Sequence, residues 1–137
     1  MSRSLFARLR SRLGPRCEYC QTSSAITGET ITIDHLIPLS RGGTSEEENL
    51  CVACRRCNRN KSMHVEAVDP TTGEYVALFN PRIQMWHEHF IWSGDGTQVI
   101  GLTSIGRATV EILQMNHQDI VNARRLWVSV GWHPPKQ

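Results

Sequence analysis

Residues 17–62 read CEYCQTSSAITGETITIDHLIPLSRGGTSEEENLCVACRRCNRNKS, and the fold is decided there. Two C-x2-C turns, Cys17-Glu-Tyr-Cys20 and Cys54-Arg-Arg-Cys57, stand 33 residues apart. Such a turn sets two thiolates on one side of a tight loop, at the spacing tetrahedral zinc requires, and two turns complete a four-sulfur shell. The expectation is structural Zn2+ on Cys17, Cys20, Cys54 and Cys57. The fifth cysteine, Cys51, lies outside both turns, and an odd number argues against a disulfide framework. A redox C-x2-C belongs in a βαβ setting, which the pattern lacks. Cys51 reads as a small apolar residue of a short strand, Leu50 to Ala53.

Between the turns runs Thr30-Ile-Thr-Ile-Asp-His35, whose alternation of Ile31 and Ile33 predicts a half-buried strand. Asp34 and His35 close it. A loop follows, with Pro38 and Gly42-Gly43, then an acidic stretch at Glu46 to Glu48, then Asn49. Cys57 to Ser62 reads as the start of a helix. Neighbouring residues of a strand point to opposite sides. Asp34 and His35 therefore serve one site only if the chain bends there, and the loop with Pro38 and the glycine pair fits a bend. Asn49 is suited to holding that loop by hydrogen bonds to its backbone.

These positions in this order, Cys17-x-Tyr19-Cys20, Asp34-His35, Pro38, Gly42-Gly43, Asn49-Leu50, and Cys54-x2-Cys57-Asn58-x2-Lys61, resemble the HNH endonucleases with a four-cysteine zinc site. That family belongs to the His-Me finger, or ββα-metal, nucleases. The resemblance covers about a third of the chain and is specific there; it extends only weakly into the second half. It implies roles residue by residue. His35 matches the general base that activates water, Asp34 a ligand of a divalent catalytic metal, and Asn49 the residue that orients the His-bearing loop. Asn58 stands at the last letter of the family name as a second metal ligand, where many members carry His. The implied activity is metal-dependent hydrolysis of DNA, leaving 5′-phosphate and 3′-hydroxyl ends.

Elementary chemistry is consistent with those roles. Phosphodiester hydrolysis builds negative charge on oxygen, which a hard divalent cation stabilises without a proton transfer. Carboxylate and amide oxygens suit Mg2+ or Mn2+. Histidine is the side chain whose unperturbed pKa lies nearest neutrality. Arg55, Arg56, Arg59 and Lys61 cluster around the second turn and are candidates to grip phosphates flanking the cleaved bond. Two rival readings stay open: a non-catalytic zinc module that binds nucleic acid or protein, and a nuclease directed at RNA.

Working outward, residues 1–63 carry ten basic and six acidic side chains, and residues 64–137 five and seven. A basic first half points to a polyanionic partner. Without its cysteines that half has few apolar residues, whereas the second half holds all four tryptophans. Leu5, Leu9 and Leu13 predict one apolar face of a helix, with Arg3, Arg8, Arg10 and Arg12 mostly elsewhere, Ser4 as its cap and Gly14-Pro15 as its end. An Arg- and Ser-rich, acid-free start also has the composition of an organelle transit peptide. A signal peptide is not visible, which places the chain in the cytoplasm as an expectation. No apolar run reaches the roughly 20 residues of a membrane span.

The expected architecture is α+β: a nuclease finger with its N-terminal helix over residues 1–63, and a C-terminal extension of hairpin and helices over 64–137 packed on it. In that extension the pattern predicts a strand over Tyr75 to Phe79 and a short helix from Asn80-Pro81 through Trp86. A hairpin follows, of His89 to Trp92 and Gln98 to Leu102, and then helices over Ile105 to Met115 and His117 to Val130, the latter capped by Asn116. His87 and His89 are two apart but have no evident third ligand, so they read as structural. Trp86, Trp92, Trp127 and Trp132 read as packing residues. Oligomeric state is not readable from the sequence.

Overall fold

The computed structural model describes residues 3–136; the side chain of Arg3, read above as part of a basic helix face, lies outside the described residues. The fold is α+β, with helices interspersed among three two-stranded antiparallel sheets. The chain separates into two compact units, one of residues 1–65 with 80–84, the other of residues 66–79 with 85–137.

The first unit begins with helix α1 (Arg3–Leu13). Ser4 falls inside this helix rather than capping it. Leu9 is fully buried and Leu5 and Leu13 half-buried, so the four-residue spacing does mark the inward face. Arg8 and Arg12, one turn apart, both hold Glu47, at 3.0 and 2.8 Å. The first cysteine turn follows, closed by Cys17 N–H donating to the Thr22 carbonyl and by an Arg16–Ser23 bridge. A single helical turn, α2 (Ser24–Thr27), is capped by the Ser23 hydroxyl and ends on Gly28 at φ 75°.

Strand β1 (Thr32–His35) pairs antiparallel with β2 (Leu50–Ala53) in the register Thr32–Ala53, Ile33–Val52, Asp34–Cys51 and His35–Leu50. All four residues of β2 are buried, which explains its apolar sequence. Helix α3 (Arg55–Lys61) begins two residues earlier than the sequence pattern placed it. The Cys54 sulfur accepts from the Cys57 N–H and caps it, so a zinc-turn cysteine also starts the helix.

In the second unit β3 (Glu66–Val68) pairs with β4 (Tyr75–Ala77), and β5 (Phe90–Trp92) with β6 (Val99–Gly101). The helix expected through Trp86 is displaced. Asn80 takes the Arg82 N–H on its side chain and makes a turn, and helix α4 begins only at Trp86 (Trp86–His89). Helices α5 (Ser104–Ile112) and α6 (Gln118–Ser129) complete the unit. His117 rather than Asn116 caps α6, because the Asn116 amide is engaged with both backbone groups of Val99. Phe79, Phe90, Val99, Leu113 and Met115 are buried at its centre. Gly106 is required there, since a Cβ would lie 2.1 Å from the His89 carbonyl oxygen. No helix among the described residues is long and apolar enough to cross a membrane.

Candidate active site and metal centre

The four sulfurs of Cys17, Cys20, Cys54 and Cys57 lie within 4.8 Å of one another, and no other group of three or more His, Cys, Asp or Glu among the described residues is so disposed. Cys20 and Cys54 sulfurs are 3.7 Å apart. The turns aim them: Tyr19 and Cys20 N–H groups point at the Cys17 sulfur, each at 3.4 Å, as Cys57 N–H points at Cys54. Such donors favour thiolate. Burial pushes the Cys17 thiol well up, while hydrogen bonds from Cys17, Cys54 and Cys57 pull Cys20 well down. Four converging sulfurs without any disulfide fit zinc in donor type, number and spacing.

Beside this cluster, the β1–β2 hairpin presents Thr32, Asp34, Cys51 and Ala53 on one face, and α3 leans its Asn58 and Lys61 onto it. Asn58 Nδ2 donates to the Thr32 hydroxyl at 3.1 Å, which leaves its Oδ1 as the oxygen available to a cation. Asp34 is 4% exposed. Its Oδ2 accepts from the Tyr19 hydroxyl at 2.8 Å and lies 3.2 Å from the Lys61 ammonium. Lys61 also donates to the His35 carbonyl at 3.0 Å. Cys51, opposite Asp34 in the register, brings its thiol to 3.7 Å from the same carboxylate and 3.5 Å from the Tyr19 hydroxyl. Burial raises both the Tyr19 and the Cys51 groups well above their ordinary values, which keeps them protonated donors.

His35, next in the chain, belongs to the other face, and its Nε2 lies 3.1 Å from the Ser45 hydroxyl. The loop between is pinned from inside. Asn49 accepts from the Ile37 N–H at 2.9 Å and donates to the carbonyls of Ile37 and Thr44 at 2.9 and 2.7 Å. Three of the four hydrogen-bonding positions of its primary amide are thereby filled. Pro38 and a turn at Leu39–Arg41 carry the chain to Gly42 at φ 89°. Gly43 then passes so close to residue 37 that a Cβ would stand 1.8 Å from its carbonyl oxygen. The asparagine and the glycine together fix where the loop returns to His35.

The structure thus gathers Asp34, Asn58 and Lys61 on one face and ties His35 to it through the shared strand and the Lys61–carbonyl bond. Lys61 departs from the surface role read for it. At 2% exposure it is turned inward, because position 61 falls one turn after Asn58 on the helix face that meets β1. Arg55 and Arg59 are exposed and Arg56 half-buried, and none of the three has an ion pair among the described residues. Tyr19 and Cys51 were missed as parts of the Asp34 environment, although Tyr19 sits inside the first turn and Cys51 faces Asp34 once the strands are paired. His87 and His89 hold no common ligand position: His89 Nδ1 meets the Thr103 hydroxyl at 2.7 Å, and His87 packs its ring edge on Trp86.

The HNH endonuclease family model matches residues 17–63. Over 121 residues, 85% of this chain, the sequence is 30% identical to the CRISPR-associated endonuclease Cas9 of Corynebacterium diphtheriae. The chain spans 11% of that relative's length. No solved structure gives a significant match to it. The resemblance read from residues 17–62 therefore stands: this stretch matches the HNH endonuclease family, and the four-cysteine cluster within it fits zinc.

Proposed function

We propose that the finger hydrolyses DNA phosphodiester bonds as a metal-dependent endonuclease, with zinc holding the fold. The observation that carries this reading is a hard oxygen set, Asp34 and Asn58 on one face of the hairpin, with His35 next in the chain on the opposite face of the strand and leading into a loop that Asn49 clamps at three points. Mg2+ or Mn2+ held by Asp34 and Asn58 would supply charge stabilisation at the phosphate oxygens. The chain's own residues do the rest. His35 takes a proton from the attacking water through its imidazole, and Ser45 orients the ring. Asn49 and Gly43 keep the loop from drifting, which matters because misplacement by about 1 Å can cost on the order of 100-fold in rate. Arg55 and Arg59, exposed on α3, grip flanking phosphates.

Supercoiled plasmid incubated with the zinc-loaded protein and Mg2+ or Mn2+ should be nicked. His35→Ala should lower the rate by roughly 100- to 10,000-fold, the span of a lost general base, with zinc content and secondary structure unchanged. Equal behaviour of wild type and variant on duplex DNA, single strands and RNA would overturn the enzyme reading. It would leave the non-catalytic zinc module, which uses the cysteines and the arginines and has no need of His35.

A further inference from the structure

Lys61 is a buried charged group that hydrolysis as described does not use. Its ammonium lies 3.2 and 3.5 Å from the two oxygens of Asp34 and 3.0 Å from the His35 carbonyl, at 2% exposure. A lysine buried this far requires a counter-charge, because an unpaired ammonium out of water is costly. Asp34 is that counter-charge. The end of α3 is also held in place: Ser62 leaves the helix at φ 50°, and the Arg41 guanidinium donates to the Met63 carbonyl at 3.4 Å. Lys61 is thereby kept pointing inward.

The charges then make an argument of their own. Of the two proposed metal ligands, Asp34 is anionic and Asn58 neutral. Lys61 cancels the charge of Asp34. A divalent cation approaching the free protein meets a neutral pair, and an ammonium already at ion-pair distance from the ligand oxygen. Two cations sharing one carboxylate repel strongly where water is largely excluded. An anion brought into the same site relieves that repulsion, and the anion this site receives is the phosphodiester of the substrate.

We propose that Lys61 makes divalent-metal binding at Asp34 conditional on a phosphodiester, so that metal and nucleic acid bind as a coupled pair. This rests on the nuclease reading of Asp34 and Asn58. Coupling of this kind is reciprocal: the nucleic acid tightens the metal by the same factor as the metal tightens the nucleic acid. Lys61 is a positioning residue here, since it acts through Asp34.

The test is an Mn2+ titration followed by electron paramagnetic resonance on zinc-loaded His35→Ala protein, whose slowed turnover leaves the duplex intact over the titration, with and without a short DNA duplex and with duplex alone subtracted. Mn2+ should bind the free protein weakly and the duplex-bound protein more tightly, by roughly 5- to 150-fold, the usual range of such couplings. Adding Lys61→Met should tighten Mn2+ binding to the free protein by a comparable factor and shrink the effect of duplex. Lys61→Arg should keep the parent behaviour. Equal Mn2+ affinity with and without duplex in the parent overturns the proposal and requires no lysine variant to fold. A folded, zinc-loaded Lys61→Met protein that binds Mn2+ as weakly as the parent overturns it also, with the metal site itself intact. If Asp34→Asn binds Mn2+ as the parent does, the metal is not at Asp34, and the ligand assignment falls together with the role of Lys61.

Discussion

The two units solve the same problem with different materials. The second unit buries Phe79, Phe90, Val99, Leu113, Met115 and Val121, and its polar groups close a conventional core. Arg124, fully buried in α6, donates to the Thr97 carbonyl at 2.9 Å and stacks on Trp92. Asp69, buried, is held by the Arg107 guanidinium at two points, 3.0 and 2.8 Å. The first unit has Leu9, Ile31, Leu50 and Val52, and then its interior turns to sulfur, carboxylate, ammonium and amide: the four cysteines, Asp34, Lys61 and Asn49. In the second unit the buried polar groups are fastened to the backbone or to each other around an apolar centre. In the first they converge on one hairpin face and on one loop. A domain short of apolar side chains is built around polar groups that must be oriented, and oriented polar groups are what chemistry on a phosphate requires.

The largest effect expected from this contrast follows loss of zinc. Structural zinc contributes about 10–16 kcal/mol to the folding of zinc-finger peptides near neutral pH, far more than the small core of the first unit can replace. Stripping the metal with a strong chelator, or replacing Cys57 by Ser, should unfold the finger. All four tryptophans belong to the second unit, so their fluorescence should hardly change while far-ultraviolet dichroism reports the loss. Simultaneous loss of the tryptophan signal at the same chelator concentration would break the distinction between a metal-built and an apolar-built unit.

A smaller effect sharpens it from the loop. Asn49→Ala removes three hydrogen bonds from a buried site and strands two carbonyls and one N–H of the loop. At about 1 kcal/mol for each bond, the finger should lose about 2–4 kcal/mol in denaturant unfolding while still binding a full complement of zinc. Nicking should fall with it, since the loop sets the return of the chain toward His35. A variant that lost zinc as well would show that the loop and the sulfur cluster form one cooperative element instead of two.

Much of this was legible in the sequence, and the limits have physical causes. Cysteine spacing predicted the sulfur cluster because a C-x2-C turn is a local object whose geometry needs no distant partner. Strand Leu50–Ala53 and the hairpin of β5 and β6 were readable for the same reason. Asn49 as a clamp on the loop could be read as a tendency, but its three partners could not, since they lie five and twelve residues away. The burial of Lys61 was not readable, because a lysine in a run of arginines gives no sign of facing inward and only the phase of α3 against β1 turns it there. Tyr19 and Cys51 escaped because the environment of Asp34 depends on strand register, in which Cys51 lies opposite Asp34. Arg124 is the same lesson in the second unit: its burial is decided by where α6 docks, not by its neighbours in sequence.

The smallest expected effect concerns acid, and in the second unit two carboxyls are placed to show it. Hydrogen bonds from the Arg107 guanidinium hold the Asp69 carboxyl well below its ordinary range, and bonds from Ser93 and Thr97 lower Asp95 to about 2. A carboxyl whose folded pKa lies below its unfolded value, about 3.9 for Asp, stabilises the fold fully above that unfolded value. The contribution is lost as pH falls toward the folded pKa, because the unfolded chain takes up the proton first. Thermal unfolding followed by tryptophan fluorescence should therefore be nearly flat from pH 7 to about 5 on account of these two groups, then decline between about pH 4 and 2. Asp95→Asn should flatten part of that decline and lower stability near neutrality only slightly, because the group lies in an exposed hairpin turn where hydrogen bonds contribute little. Asp69→Asn should flatten more of it, since the Arg107 guanidinium holds this carboxyl lower than Asp95. An acid decline that survives both substitutions would place the sensitive carboxyls elsewhere in the chain and remove this last distinction between the units.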